Sequence, residues 1–397
     1  MKFINSFILF VFVGVTLNAQ SYFPPNNSSN WDSISPSSLD YCQSNIDSLY
    51  DYLDGNNTKA FILLKDGKIV LENYFNEHTD TSNWYWASAG KTIIALLTGI
   101  AQKDGLLDIN TSASSYLSEA WTNTTPEQEN MISLRHQLTM TSGMDDGVEN
   151  PYCTLDTCLV YLAEAGTRWA YHNAPYTLLK NVIENASGLG INNYTFQKLI
   201  SPIGMNGVFV YEGYGSIFVS TARSMARFGL LILNEGQWNQ NDILEDNEYY
   251  NAMISSSQEY NESYGYLWWL NGKNSFMIPQ TQYVFDGQLN PNAPSDMFAA
   301  MGRNGQFINV VPSENMVWIR MGDAPEETLV PFNFNDEIWT YINQLDCEAS
   351  DLNEYQGQTK KLLKINDVLG RPSKVEKNTH LFYIYDDGSA EQKIILD

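Results

Sequence analysis

The tetrapeptide Ser88-Ala89-Gly90-Lys91 places a hydroxyl and an amine three residues apart. A serine hydroxyl is a poor nucleophile until a neighbouring base takes its proton. In the first turn of a helix, residues at this spacing share a face, so the Lys91 amine would lie beside the Ser88 hydroxyl. Desolvation lowers the pKa of such an amine until it can accept the proton, and a helix N-terminus favours negative charge developing nearby. The chemistry implied is acyl transfer through a serine ester. The ordinary explanation of the same four residues is a capping serine followed by a solvated lysine, so their weight depends on what accompanies them.

Two further groups do accompany them. Tyr171-His172-Asn173 offers a phenol that can relay a proton to a leaving group and an amide that can hold Lys91 or a substrate carbonyl. Gly302-Arg303-Asn304-Gly305-Gln306 stands at the start of an expected strand, where glycine lets a substrate approach the backbone. The Gln306 N–H is expected to share an oxyanion with the Ser88 N–H. Other nucleophile arrangements fit less well. A phosphate loop needs glycine where Tyr85 stands, and a serine elbow of the G-x-S-x-G type needs glycine where Trp86 stands. No CxxC or HxH spacing suggests zinc, and no metal or organic cofactor is expected.

The elements that must position these residues are legible from periodicity. Leu39, Cys42, Ile46, Leu49, Tyr50 and Leu53 mark one face of a helix, and Ala60–Leu64 with Ile69–Phe75 read as a hairpin turning at Asp66-Gly67. Thr92 to Ala101 is helix-like. Phe307–Val311 and Met316–Met321 read as strands, and Pro331 to Leu345 as a closing helix. Strands at both ends with helices between predict an α/β (α+β) domain, a largely antiparallel sheet flanked by helices with a helical subdomain.

The ordered motifs resemble the serine β-lactamase family in its broad sense. That family includes class C β-lactamases, D-alanyl-D-alanine carboxypeptidases, esterases and 6-aminohexanoate-dimer hydrolases. Its S-x-x-K, Y-x-N and K-T-G or H-x-G motifs are matched in order at Ser88, Tyr171 and Arg303. Leu134–Gly143, Ser220–Gly229 and Gly265–Trp269 resemble further family segments, so the likeness spans roughly residues 40–345. The resemblance implies a β-lactamase/transpeptidase-like fold. It also implies a Ser88 nucleophile, Lys91 as base, Tyr171 as proton relay and an Asn173 that orients substrate. Arg303-Asn304-Gly305 departs from Lys-Thr-Gly, which puts β-lactam and D-alanyl peptide turnover in doubt. The leading expectation is therefore a small ester or amide substrate, with a carboxylate for Arg303. β-Lactamase or carboxypeptidase activity is the alternative, and a non-catalytic binding protein on the same fold is the other. His172 is expected at the rim of the cleft, and His136 as a satisfied core histidine.

Lys2, the apolar stretch Phe7 to Val15 and Leu17-Asn18-Ala19 read as a signal peptide over residues 1–19. A run that short cannot span a bilayer, so no stable membrane insertion is expected after its removal. Residues 20–37 read as a leader, 38–347 as the hydrolase domain and 348–361 as a linker. Residues 362–397 read as a C-terminal β module resembling the sorting tails of exported Bacteroidetes proteins, which would engage secretion machinery. Export, to periplasm, cell surface or medium, makes two disulfides the expectation for the four cysteines, with Cys153–Cys158 and Cys42–Cys347 the favoured pairing. The formal net charge of −24 excludes nucleic acid and anionic lipid as partners.

Overall fold

The computed structural model describes residues 21–324, 328–347, 361–367, 371–375, 377, 379–385 and 389–394. It divides into two compact units, Met1–Asp346 and Cys347–Asp397. The expected signal peptide, linker residues 348–360, and Leu369-Gly370 and Asp386-Asp387-Gly388 of the expected tail lie outside the described residues.

The first unit is built on a six-stranded antiparallel sheet. Its strands are β1 (Thr58–Lys65) and β2 (Lys68–Tyr74), then β6 (Trp269–Leu270), β7 (Phe298–Gly302), β8 (Gln306–Val311) and β9 (Met316–Gly322), in the spatial order β2-β1-β9-β8-β7-β6. Asp66 and Gly67 both take positive φ, +52° and +78°, which closes the first hairpin with the right-handed twist of its strands. A separate small sheet joins β3 (Trp84–Tyr85) to the hairpin β4 (Val208–Glu212) and β5 (Gly215–Ser220).

Consecutive residues Ala60 to Leu64 are all buried, so both faces of the sheet are covered. On one face, Trp318 packs against Trp339 of a closing helix that spans Phe332–Ile342. On the other, the neighbouring Val317 meets a helix over Ala222–Leu233 at Gly229, where an added Cβ would lie 2.6 Å from Val317 Cγ1 and 3.0 Å from Ile308 Cγ2. The helix α1 (Gln43–Gly55) buries Ile46, Leu49 and Leu53, three of the positions its periodicity marks. The helix α2 (Lys91–Lys103) runs through the interior, with every residue from Lys91 to Ala101 buried. This is the antiparallel sheet flanked by helices that the periodicity predicted.

Residues 21–37, read from composition as a leader, lie along this body. Ile34 N–H donates to Ile69 O at 2.8 Å, Trp238 Nε1 to Asn26 Oδ1 at 2.8 Å, and Arg227 Nη2 to Pro25 O at 2.8 Å. None of the four cysteines is free. Cys153 pairs with Cys158, and Cys42 and Cys347 are likewise disulfide-bonded. Among the described residues no helix is long and apolar enough to cross a membrane. The second unit holds a three-stranded antiparallel sheet of Leu362–Asp367, His380–Tyr385 and Ala390–Ile394, with Leu381 buried.

The contact at Gly229 has a measurable cost. Gly229→Val forces branched carbon into Val317 and Ile308, and overpacking of this kind destabilises by about 1–3 kcal/mol. The expected result is a lower urea midpoint with an unchanged slope; an unchanged midpoint would show that the helix can lift off the sheet without cost.

Candidate active site

The site begins with a strained turn. Trp86 is fully buried and donates Nε1–H to Ser220 Oγ at 2.8 Å, while its backbone N–H donates to Phe218 O at 2.9 Å, so β5 fixes the chain just before Ser88. Ala87 then takes φ +46°, a left-handed conformation costly for a residue with a Cβ. Ala87–Gly90 form a single 3-10 turn that feeds directly into α2. The turn carries Ser88 half-exposed and leaves Lys91 buried one step further on.

Lys91 Nζ donates to Ser88 Oγ at 2.8 Å and to Asn173 Oδ1 at 2.8 Å. It makes no ion pair among the described residues. Its ammonium would lie 4.9 Å from the Tyr171 ring centroid and 4.2 Å from that of Tyr176. Desolvation in this setting pulls the amine down to about 7. The Tyr171 hydroxyl is within hydrogen-bonding reach of Ser88, yet burial pushes its pKa well up and keeps the phenol protonated. Its ring stacks on Trp269 at 5.6 Å and 20°, with Tyr264 edge-on at 6.2 Å, so an aromatic cluster at the end of the sheet holds it in place. Asn173 opens the short helix α3 (Asn173–Thr177), whose Thr177 hydroxyl donates back to Asn173 O at 2.8 Å.

Ser88, Lys91, Tyr171 and Asn173 thus converge. The glycine-rich segment is arranged differently from the sequence expectation. The residue packed against the Ser88 turn is Gly302, the last of β7. A Cβ there would lie 2.6 Å from Trp86 O, 2.8 Å from Ala89 N and 3.0 Å from Ser88 N. Arg303, Asn304 and Gly305 form the turn that follows, with Asn304 at φ +62°. Gln306 opens the next strand opposite Gly302. It is fully buried, and its amide side chain is occupied by both polar groups of the Gly322 backbone. Of the glycines in this segment it is Gly302, not Gly305, that meets the Ser88 backbone, because the strand ends earlier than the glycine spacing suggested.

The remaining expected residues take other places. Arg303 is exposed. Asn304 Nδ2 donates to Tyr85 Oη at 2.7 Å, which ties the turn to β3. Gly305 makes room for Arg320, whose Nη1 would lie 2.5 Å from a Cβ there. His172 is a correction. It is 2% exposed rather than at a rim, neither ring nitrogen has a hydrogen-bond partner among the described residues, and burial pulls its pKa down to about 4, against the Asp146 and Asp145 carboxylates that raise it. Its imidazole is neutral and sits beside the Arg168–Asp146 ion pair, 2.6 Å long. His136, read as structural, is so: its Nδ1 accepts from Ser133 N–H at 3.2 Å in a capping box.

Sequence reasoning missed Arg320. It is fully buried and donates five hydrogen bonds, to Thr58 Oγ1 and to the carbonyls of Asn56, Asn304, Gly305 and Asp323. It holds the 303–305 turn from behind without any carboxylate. The signal was present, since Arg320 interrupts an otherwise apolar strand. Ala87 carried no such signal, because nothing in its side chain announces a positive φ.

A serine whose hydroxyl is hydrogen-bonded to a buried amine beside a buried phenol, on a sheet of this topology, defines a serine hydrolase. The family model described as Beta-lactamase matches residues 54–326, and the chain belongs to that family of serine hydrolases. Among solved structures, a Bacillus anthracis protein assigned as a 6-aminohexanoate-dimer hydrolase is similar at 21% identity, covering 81% of this chain and 88% of its own, with a TM-score of 0.61. A penicillin-binding protein homologue from Caulobacter crescentus matches at 12% identity, 82% and 100% coverage and a TM-score of 0.58. A family VIII carboxylesterase matches at 14% identity, 75% and 96% coverage and a TM-score of 0.55. At these identities the likeness is one of fold. No curated protein sequence matches.

A free amine at Lys91 is available only above its pKa of about 7. Reaction of Ser88 with a fluorophosphonate probe is therefore expected to slow roughly tenfold per pH unit below that value, and to level off above it. Tyr171 adds no falling limb, because its phenol stays protonated. A pH-independent rate between 5 and 9 would remove Lys91 from the role of base.

Proposed function

We propose that this chain is an exported hydrolase that cleaves a small ester or amide through a Ser88 acyl-enzyme. The observation that carries the reading is the 2.8 Å hydrogen bond from a buried, carboxylate-free Lys91 amine to Ser88 Oγ. Lys91 takes the Ser88 proton as Oγ bonds to the substrate carbonyl carbon. The tetrahedral oxyanion then lies between the Ser88 N–H and the N–H of Arg303, the residue following Gly302, each such donor contributing about 3–4 kcal/mol. The Arg303 amide takes the place expected of Gln306, because Gly302 is the residue that meets the Ser88 backbone. As the tetrahedral species collapses, Tyr171 gives its proton to the leaving group and is reprotonated from the Lys91 ammonium. Water then attacks the ester carbonyl, losing a proton to the same pair, which returns it to Ser88 Oγ as the Oγ–acyl bond breaks and the acid leaves.

Asn173 fixes the Lys91 amine, and its amide N–H, which makes no hydrogen bond among the described residues, is placed to meet a substrate carbonyl. The exposed Arg303 guanidinium is available to the outer end of a substrate and stands outside the strand where the family motif carries its cation. Export is supported by the apolar stretch after Lys2 and by cysteines that are disulfide-bonded, a state that persists in oxidising compartments.

The test compares p-nitrophenyl butyrate, a linear amide dimer and nitrocefin on wild-type protein and on Ser88→Ala. Ester or amide turnover is expected, falling at least a thousandfold in the variant with its melting temperature retained. Nitrocefin turnover alone would move the substrate class to β-lactams. Full residual activity in Ser88→Ala would end the proposal, and inertness of the wild-type protein to the whole panel would favour a binding protein on this fold.

A further inference from the structure

Lys180 lies on the helix Leu179–Ser187 and is 7% exposed. Burial of an unpaired ammonium is costly, and such groups ordinarily find a carboxylate. Lys180 has none. Among the described residues its amine makes no hydrogen bond and no ion pair, and its contact is with the Tyr211 ring, 4.3 Å away. Glu184, one turn along, raises the amine's pKa through space without pairing with it, and its Oε1 accepts from Ile191 N–H at 2.8 Å.

The Lys180 side chain lines a cavity of about 20 Å³ whose other walls include Ala87, Gly90, Tyr176, Thr177 and Ser216. That volume exceeds what one water-sized sphere occupies, which is the scale of a small polar head group. The Ser216 hydroxyl also lacks a hydrogen-bond partner among the described residues, whereas Thr177 donates its own to Asn173 O. Two donors without acceptors therefore border one small space. That space adjoins the catalytic turn, since Ala87 and Gly90 flank Ser88 and the same Tyr176 ring faces Lys91. An acyl group stays bonded to Ser88 through both half-reactions, so a recess beside this turn acts on the acyl part of a substrate.

We infer that this cavity is a carboxylate subsite in which Lys180 and Ser216 hold the far end of an acyl chain bearing a terminal acid. The inference rests on the serine hydrolase reading and narrows its substrate class to half-esters or half-amides of short dicarboxylic acids. Desolvation lowers the pKa of the Lys180 amine, and a bound carboxylate would offset that cost.

Two measurements test this. The first is the ratio of kcat/KM for p-nitrophenyl hydrogen glutarate to that for p-nitrophenyl valerate, which share chain length and leaving group. It is expected to exceed one in the wild-type protein and to fall about tenfold in Lys180→Met, with a smaller fall in Ser216→Ala. A ratio that is unchanged in both variants would overturn the assignment. The second is calorimetric titration of glutarate into wild-type and Lys180→Met protein, each checked by thermal melting. Saturable binding that weakens about tenfold in the variant supports the subsite, and no binding to wild type overturns it. If neither ester is hydrolysed, the hydrolase reading fails by itself, and the titration still decides the role of Lys180.

Discussion

The base proposed at Lys91 must be an uncharged amine, which has to be kept from both water and acids, and the placement of Lys91 satisfies both requirements. Any carboxylate within a few ångströms would hold the lysine protonated and remove its function, so its neighbours are an amide oxygen, a serine hydroxyl and two aromatic rings. Much of the surrounding architecture follows from this. The helix carrying Lys91 is buried from Lys91 to Ala101, and the Tyr171 phenol is walled by Trp269 and Tyr264.

The same economy governs the other buried cations. Arg320 reaches full burial on backbone carbonyls and one hydroxyl, and Arg227 on the carbonyls of Pro25 and Ile203. In a chain with 46 acidic and 22 basic residues, acids were available as partners, yet these interior positions use neutral acceptors. Such acceptors are fixed by the backbone itself, so the guanidinium of Arg320 acts as a spacer of known shape behind the 303–305 turn. Gly305 and Gly322 are the positions that leave room for it.

The sequence displayed the parts of this design that depend on side-chain type and local spacing. The S-x-x-K and Y-x-N spacings located Ser88, Lys91, Tyr171 and Asn173, and the alternation of apolar residues located the hairpin and the last strands of the sheet. What it hid depends on where a strand ends. Gly302 and Gly305 are equivalent in one dimension, and only the pairing of Gly302 with Gln306 shows which of them meets Ser88. His172 was read as a rim residue because polarity suggests exposure, whereas the fold covers it and withholds every hydrogen-bond partner. Residues 21–37 looked like a leader by composition, although Pro25 and Asn26 offer the groups that Arg227 and Trp238 use.

The order of the strands also bears on how the chain is made. β1 lies between its hairpin partner β2 and β9, so its second neighbour is separated from it by about 250 residues. During synthesis the run Ala60 to Leu64 emerges early, and one edge of it stays unpaired until Met316–Gly322 follows. Long-range antiparallel pairing of this kind closes late and leaves apolar strand surface exposed in the interval. A ribosome adding about 5–20 residues per second would take on the order of 10–50 s to supply the missing strand. For that interval the nascent chain presents a sticky edge, so its yield in a cell is set as much by what shields that edge as by the stability of the finished sheet.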